Sequence, residues 1–408
     1  MTGAVQEPAQ RLLRGGFVSW LAAATVSAVG DGILYFAIAW VASGLGAHVV
    51  TLVLIAGLLP ELLLTLLGGV AADRWGLRRT ITGCNLAMCL LLTAFLLASE
   101  VAAVTGVLLG ALALADGVVS SFHRPANNAF PRLFFPESLI PRAMSLTGSA
   151  MEIARIAGPP LGAVLVVVVS IKGAILADLA SFAVVLAVLV AVRPPHEPVR
   201  PPRGSSSAVA ELRAGLRAIR SVPGVGAMLG AVGIVAGTVI PMLGLCVPLL
   251  ARSRGWSAAD AGLMEAFWIV GALAISLLRA AGKVGIAARP VWPLSTGPVL
   301  ASSGIVVAVV APTPAIAFAG TGLMGIGTAI FTSHLFPLYL LQTPQGMLAR
   351  FQSVLLVAQM LAMLVGNAWL GGLASQLGPG QAMLAAACAC TCAGIPILAS
   401  RTLRNARM

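Results

Sequence analysis

Long apolar stretches separated by short polar ones dominate the chain. Twelve can be traced, at residues 17–42, 48–71, 80–99, 101–121, 144–169, 172–192, 223–250, 258–281, 291–311, 313–338, 350–374 and 381–400. Most reach the length, about 20 residues of helix, that crosses the ~30 Å hydrocarbon core of a bilayer. The pattern therefore predicts an all-α membrane protein with twelve transmembrane helices. The first stretch is too long for a signal-peptide core and has no small-residue cleavage site after it, so it is expected to remain as the first span.

The longest polar interruption lies at residues 193–222. It opens with Pro194, Pro195, Pro198, Pro201 and Pro202, passes Gly204 and three serines, and turns helical in character over 208–220. There Leu212, Leu216 and Ile219 share one face and Arg213, Arg217 and Arg220 another, as suits a short helix lying on a membrane surface. Residues 1–192 and 223–408 then form two six-helix bundles joined by this linker, a plan that many secondary transporters share.

Composition strengthens this picture. Of 408 residues, 59% are hydrophobic and 9% charged, against roughly 45–50% and 25% in soluble domains, so there is too little charge to cover a water-exposed surface. Aromatic residues are only 5%, while Gly (45) and Pro (25) are abundant, which favours tightly packed helices over an aromatic-girdled barrel. The net charge of +12 follows topology. With the N-terminus inside, the basic residues concentrate in cytoplasmic segments: Arg11 and Arg14, Arg74 to Arg79, Arg124 to Arg142, the linker arginines, Arg279 to Arg289, Arg350 and Arg401 to Arg407. Lys172, Arg252 and Arg254 stay outside, and Arg155 lies within a span. The positive-inside rule thus places both termini in the cytoplasm and makes a nucleic-acid partner unnecessary.

Several chemistries lack their residues. The six cysteines all fall inside spans, and Cys388, Cys390 and Cys392 scatter around a helix axis, so neither a disulfide nor a metal site is expected. Gly320-Thr-Gly322-Leu-Met-Gly325 satisfies the G-x-G-x-x-G spelling but sits in an apolar run with no βαβ unit, so it reads as helix packing. There is no P-loop and no H-E-x-x-H. The chain is expected to be no enzyme and to need no cofactor.

Between the second and third spans lies Gly69-Val-Ala-Ala-Asp73-Arg74-Trp75-Gly76-Leu77-Arg78-Arg79. Here Gly69 would permit a close helix approach, Asp73 offers a carboxylate at a helix end, Gly76 allows a tight turn, and the arginines anchor the loop. This G-x-x-x-D-R-x-G-x-R-R pattern resembles the loop signature of the major facilitator superfamily. In span five, Gly158-Pro159-Pro160-Leu161-Gly162 is similar to the glycine-proline motif of that superfamily's antiporters. Gly30-Asp31, Leu59-Pro60 and the Pro125, Ala129, Pro131 segment resemble its drug and siderophore exporter branch. The loop Arg279–Gly285 is a degenerate copy of the first signature, and Val101–Ala115 lacks the arginine that many drug antiporters carry early in span four.

Charges inside apolar runs are costly unless they face a cavity or a partner. Asp31 lies about 21 Å into span one at ~1.5 Å per residue. Glu61 in span two, and Glu152 and Arg155 in span five, fall at comparable depth. These four are the expected proton-coupling residues, although Glu152 and Arg155, at i and i+3, could simply neutralise each other. Asp116, Asp178 and Glu265 read as solvated span ends, with gate contacts as the alternative, and His334 as a packed polar residue. Tyr35, Trp268 and Gln359 are expected at a substrate cavity, with Asn367 on its polar wall. The resemblance implies a monomeric secondary transporter in a bacterial cytoplasmic membrane, exporting a small lipophilic or amphipathic compound in exchange for protons by alternating access, in contact with membrane lipids. The Gly69–Arg79 loop would help close its inner side. The alternatives are a lipid flippase or siderophore exporter of the same fold, or a non-transporting membrane receptor.

Overall fold

The computed structural model describes residues 15–195, 216–219, 222–283, 285, 287, 289–344 and 347–405. Twelve of its helices are long and apolar enough to cross a membrane. They are α1 (Gly15–Gly44), α2 (Ala47–Trp75), α3 (Leu77–Val101), α4 (Gly106–Ala129), α5 (Ile140–Val168) and α6 (Ile171–Ala191). Then follow α7 (Val225–Ser253), α8 (Ala258–Ala280), α9 (Val291–Val310), α10 (Pro314–Leu341), α11 (Leu348–Leu377) and α12 (Pro379–Ala399). Of the helix expected at 208–220, only residues 216–219 are described, and they are helical. Arg11, Arg14, Arg200, Arg203, Leu212, Arg213 and Arg220 lie outside the described residues.

The chain divides into two compact units. One holds α1 up to Ile38 together with the chain from Ala56 to the end of α6. The other holds the segment Ala39–Ile55 and α7 to α12.

In the first unit, α2 runs on through Asp73 and Arg74 to Trp75, because nothing in the signature segment breaks a helix before Gly76. Gly76, at φ +89°, makes the turn and α3 starts at the next residue. A left-handed backbone there admits glycine far more readily than any L-residue. The fourth span is longer than its apolar run, since the polar residues His123, Arg124, Asn127 and Asn128 continue α4 to Ala129 before a 3₁₀ turn at Phe130–Leu133. That turn brings Phe130, Phe134 and Phe135 onto Phe17 and Trp20 of α1. The rings meet at centroid distances of 4.8 Å (Phe17–Phe135, edge-on) and 5.2 Å (Trp20–Phe130), within the range of favourable aromatic packing. The Pro125, Ala129, Pro131 segment therefore forms the end of α4 and the corner that closes an aromatic core.

The second unit is held by small-residue contacts. A β-carbon at Gly366 of α11 would fall 1.9 Å from the Gly237 carbonyl oxygen of α7, one at Gly271 of α8 would fall 2.1 Å from the Gly322 oxygen of α10, and one at Gly304 of α9 would fall 2.4 Å from the Gly320 oxygen of α10. Gly320 and Gly322, together with Gly325, which meets the Trp268 carbonyl, are thus helix contacts. Where lipid is as apolar as the side chains, such close packing is what holds helices together. The segment Ala39–Ile55 joins this unit through Arg252 of α7: its Nε donates to Ser43 Oγ at 2.7 Å, its Nη2 donates to the Trp40 carbonyl at 2.8 Å, and its guanidinium lies 4.2 Å from the Trp40 ring centroid. Stacking plus forked donation is a combination specific to arginine. Nearby, Arg254 donates to the Val309 and Ala311 carbonyls and so caps the end of α9.

One expectation about the signature loop changes. A β-carbon at Gly69 would meet nothing within 4 Å, whereas one at the preceding Gly68 would lie 2.0 Å from the Ser121 carbonyl oxygen of α4. The close approach belongs to Gly68 because that residue, one position earlier on α2, is the one turned toward α4. Gly68→Ala should cost about 1–3 kcal/mol, as overpacked sites do, and lower the melting temperature of the detergent-purified protein, while Gly69→Ala should leave it unchanged. Equal melting temperatures for the two variants would contradict this packing.

Candidate functional site

The polar interior of the first unit is built around α1. The helix comes close to α5 because Gly32 and Gly158 abut: a β-carbon on either would fall 2.8–3.0 Å from the other's Cα. Gly162 packs in the same way on Ile33. Gly158 and Pro159, both buried, and Gly162 thus form the contact surface of α5 for the stretch of α1 that carries Asp31.

Asp31, in the middle of α1, keeps accessible surface. Asp116, Arg124 and Glu61 are among the charges that act on it, and Asp31 itself acts on Asp178. Glu61, 9% exposed, accepts a hydrogen bond from Arg124 Nη1 at 3.2 Å, and that guanidinium is itself largely exposed. Asp116, on α4, is half-buried, with Ser120 one turn along the same helix. Asn85 of α3, fully buried, lies 3.4 Å from His123 Nε2, next to Arg124.

Glu61 is among the charges that act on Asp31. Glu152 and Arg155 pair with each other at 3.0 Å, both about half exposed, and are not among the charges acting on Asp31. Two span-end assignments are corrected. Asp178 is fully buried and Glu265 is 7% exposed, because the helices around them enclose depths that length counting alone leaves at the margin. Arg124 is also relocated, from a loop to the interior of α4. The stripe Asp116, Ser120, Arg124, at i, i+4 and i+8, was the sequence signal for it, hidden by ending the span at residue 121.

In the signature loop, Asp73, Arg74 and Arg79 are exposed, whereas Arg78 donates to the Leu189 carbonyl near the end of α6. One arginine of the motif therefore serves to tie α3 to α6. Tyr35 is exposed on α1 (48%). In the second unit, Trp268 is half-buried, Asn367 is 5% exposed, and Gln359 lines a recess of about 490 Å³ with Phe336, Gln352, Ser353, Leu355 and Leu356. His334 is buried, its Nδ1 2.8 Å from the Ile330 carbonyl and its Nε2 accepting from the Ala287 amide at 3.2 Å. Among the described residues no group of three or more His, Cys, Asp or Glu could hold a metal ion.

Comparison with known proteins places this arrangement. The family model described as Major Facilitator Superfamily matches residues 20–367. No curated protein matches the sequence. Among solved structures, the chain is similar to a bacterial homologue of the human lysosomal transporter Spinster, described as inward-facing and unoccupied (TM-score 0.69, 13% identity, 96% of each chain covered). It is similar to the nucleoside transporter NupG (0.72, 12%, 94% of this chain and 99% of that one) and to a POT family transporter in complex with 5-aminolevulinic acid (0.70, 13%, 95% and 96%). At such identities the likeness is one of fold. With its sequence matched over most of its length and its twelve helices superposing on these transporters, the chain belongs to the major facilitator superfamily of membrane transporters.

Proposed function

We propose that this transporter exports a small lipophilic or amphipathic compound in exchange for protons, with Asp31 as the proton carrier. The single observation behind the reading is the placement of Asp31: an acid in the middle of a spanning helix that keeps accessible surface, with Glu61, Asp116 and Arg124 among the charges acting on it. A carboxyl so placed can be reached by protons and still feel every nearby charge, which coupling requires. Glu61 and Arg124 assist by holding a compensated charge pair beside it. Glu152 and Arg155 pair with each other on α5 and remain candidate helpers in the coupling.

Apolar walls suit a bulky lipophilic substrate better than a sugar, which wants many hydrogen-bonding side chains. The recess at Gln359 mixes the two: Phe336, Leu355 and Leu356 supply apolar surface and Gln352, Ser353 and Gln359 uncharged polar groups, as an amphipathic compound would need. We place both termini in the cytoplasm of a bacterial cell, on the distribution of basic residues, and take the monomer as the working form. In this orientation Arg252, bound to Trp40 and Ser43, lies at the outer surface, and the Gly69–Arg79 loop at the inner one.

Purified protein in proteoliposomes, tested with a panel of fluorescent lipophilic dyes and an imposed pH gradient, should move at least one dye uphill. Asp31→Asn should abolish the uphill component and leave downhill equilibration; uphill movement surviving in Asp31→Asn would show that Asp31 is not the carrier. Arg124→Gln leaves Glu61 buried without its cation and should destabilise the protein by about 1–3 kcal/mol, whereas adding Glu61→Gln should restore much of the loss. A double variant no more stable than the single one, by thermal unfolding in detergent, would mean the pair is not coupled.

A further inference from the structure

The recess between α10 and α11 has an ordered wall. Gln352, Ser353, Leu355, Leu356 and Gln359 of α11 line it, and Phe336 of α10 completes the lining. Positions 352, 355, 356 and 359 recur at helix spacing and so form one stripe. A glutamine stands at each end of that stripe and two leucines lie between. At ~1.5 Å per residue the two amide-bearing positions are about 10 Å apart along the helix. None of the six lining residues is charged.

The amides are available and the walls are fixed. Among the described residues no hydrogen bond occupies the Gln352 or Gln359 side chain, whereas Ser353 has an interaction within the protein. Each glutamine therefore keeps both a donor and an acceptor for a guest. Just beyond the recess α10 and α11 are fastened together. Tyr339, buried and three residues after Phe336, donates its hydroxyl to the Phe351 carbonyl at 2.7 Å, and the two rings lie 6.0 Å apart. Phe351, also buried, is the residue before Gln352. A site whose walls are held in place spends less on ordering when it binds. Its volume of about 490 Å³ is that of a small-molecule site.

We propose that this recess binds uncharged compounds with a flat apolar centre and a hydrogen-bonding group at each end, held lengthwise along α11 between Gln352 and Gln359. Leu355, Leu356 and Phe336 take the centre. A charged end would lose water and find no counter-charge among the lining residues. A wholly apolar guest would strip water from both amides and return no hydrogen bond. As a description of what is exported this rests on the transport reading above; as a binding site it does not.

Equilibrium dialysis of the full chain in lipid nanodiscs, without a pH gradient and corrected with empty nanodiscs, tests it with four probes. These are a biphenyl with a carboxamide at each far end, the same biphenyl with one carboxamide, benzene with two para carboxamides, and the first probe with a trimethylammonium group replacing one carboxamide. The two-ended biphenyl should bind about tenfold more tightly than the one-ended, the effect of one further hydrogen bond. The short and the cationic probes should bind no better than the one-ended. Gln352→Leu and Gln359→Leu should each bring the two-ended probe down to the one-ended level. Affinity for the one-ended probe should hardly change in either variant, which also shows that both are folded. Equal binding of one- and two-ended probes by the wild type would overturn the proposal, as would a cationic probe that binds as tightly as the two-ended one, or two-ended binding unchanged in both variants. The two readings fail separately. Absence of dye export while the two-ended probe binds as described defeats only the transport reading, and export alongside probe binding that ignores both glutamines defeats only this one.

Discussion

The close approach of α1 to α5 and α6 is the contact on which the acidic interior of the first unit depends. Gly32 against Gly158 and Ile33 against Gly162 bring backbone to backbone, and Gly30 admits the Asp178 carboxyl and Ser181. Asp31 stands in the middle of this run of small contacts. With a larger residue at Gly30, Asp178 would be pushed off its seat; with one at Gly32 or Gly158, α1 would move outward and Asp31 with it. Glycines here do for the electrostatics what they do elsewhere in the molecule for packing alone.

The charge arrangement follows from that geometry. Asp31, Glu61, Asp116 and Asp178 converge on a region where Arg124 is the cation that acts on three of them. Arg124 bonds directly to Glu61, so its compensation of the others is partial. Among the described residues of the second unit Glu265 is the one buried acid, with Oε1 lacking a partner, while Gln359 and Asn367 supply uncharged polarity. The two units thus divide the work differently, one carrying clustered charge and the other mostly apolar packing. Shared architecture with a Spinster homologue, a nucleoside transporter and a POT family transporter shows how broadly one fold is used, and leaves chemistry to the individual side chains.

The amino-acid sequence by itself determined that the chain is a twelve-helix membrane protein, because a span needs only length and apolarity and both are one-dimensional properties. It also marked Asp31 and Glu61, since a charge in an apolar run stands out wherever it falls. The turn at Gly76 was legible for a similar reason, being a property of the local backbone. Tertiary structure alone decided which acids meet. Asp178 and Glu265 looked like span ends and are buried, since depth depends on what surrounds a residue and not on its distance from a run's boundary. Arg124 left its expected loop because helix α4 tolerates polar residues once Glu61 and the aromatic corner give them partners. Gly68, not Gly69, makes the contact with α4, and Arg78, alone of the loop's three arginines, reaches Leu189; which side of a helix faces a neighbour is set by the neighbour, and that information is not written in the run itself.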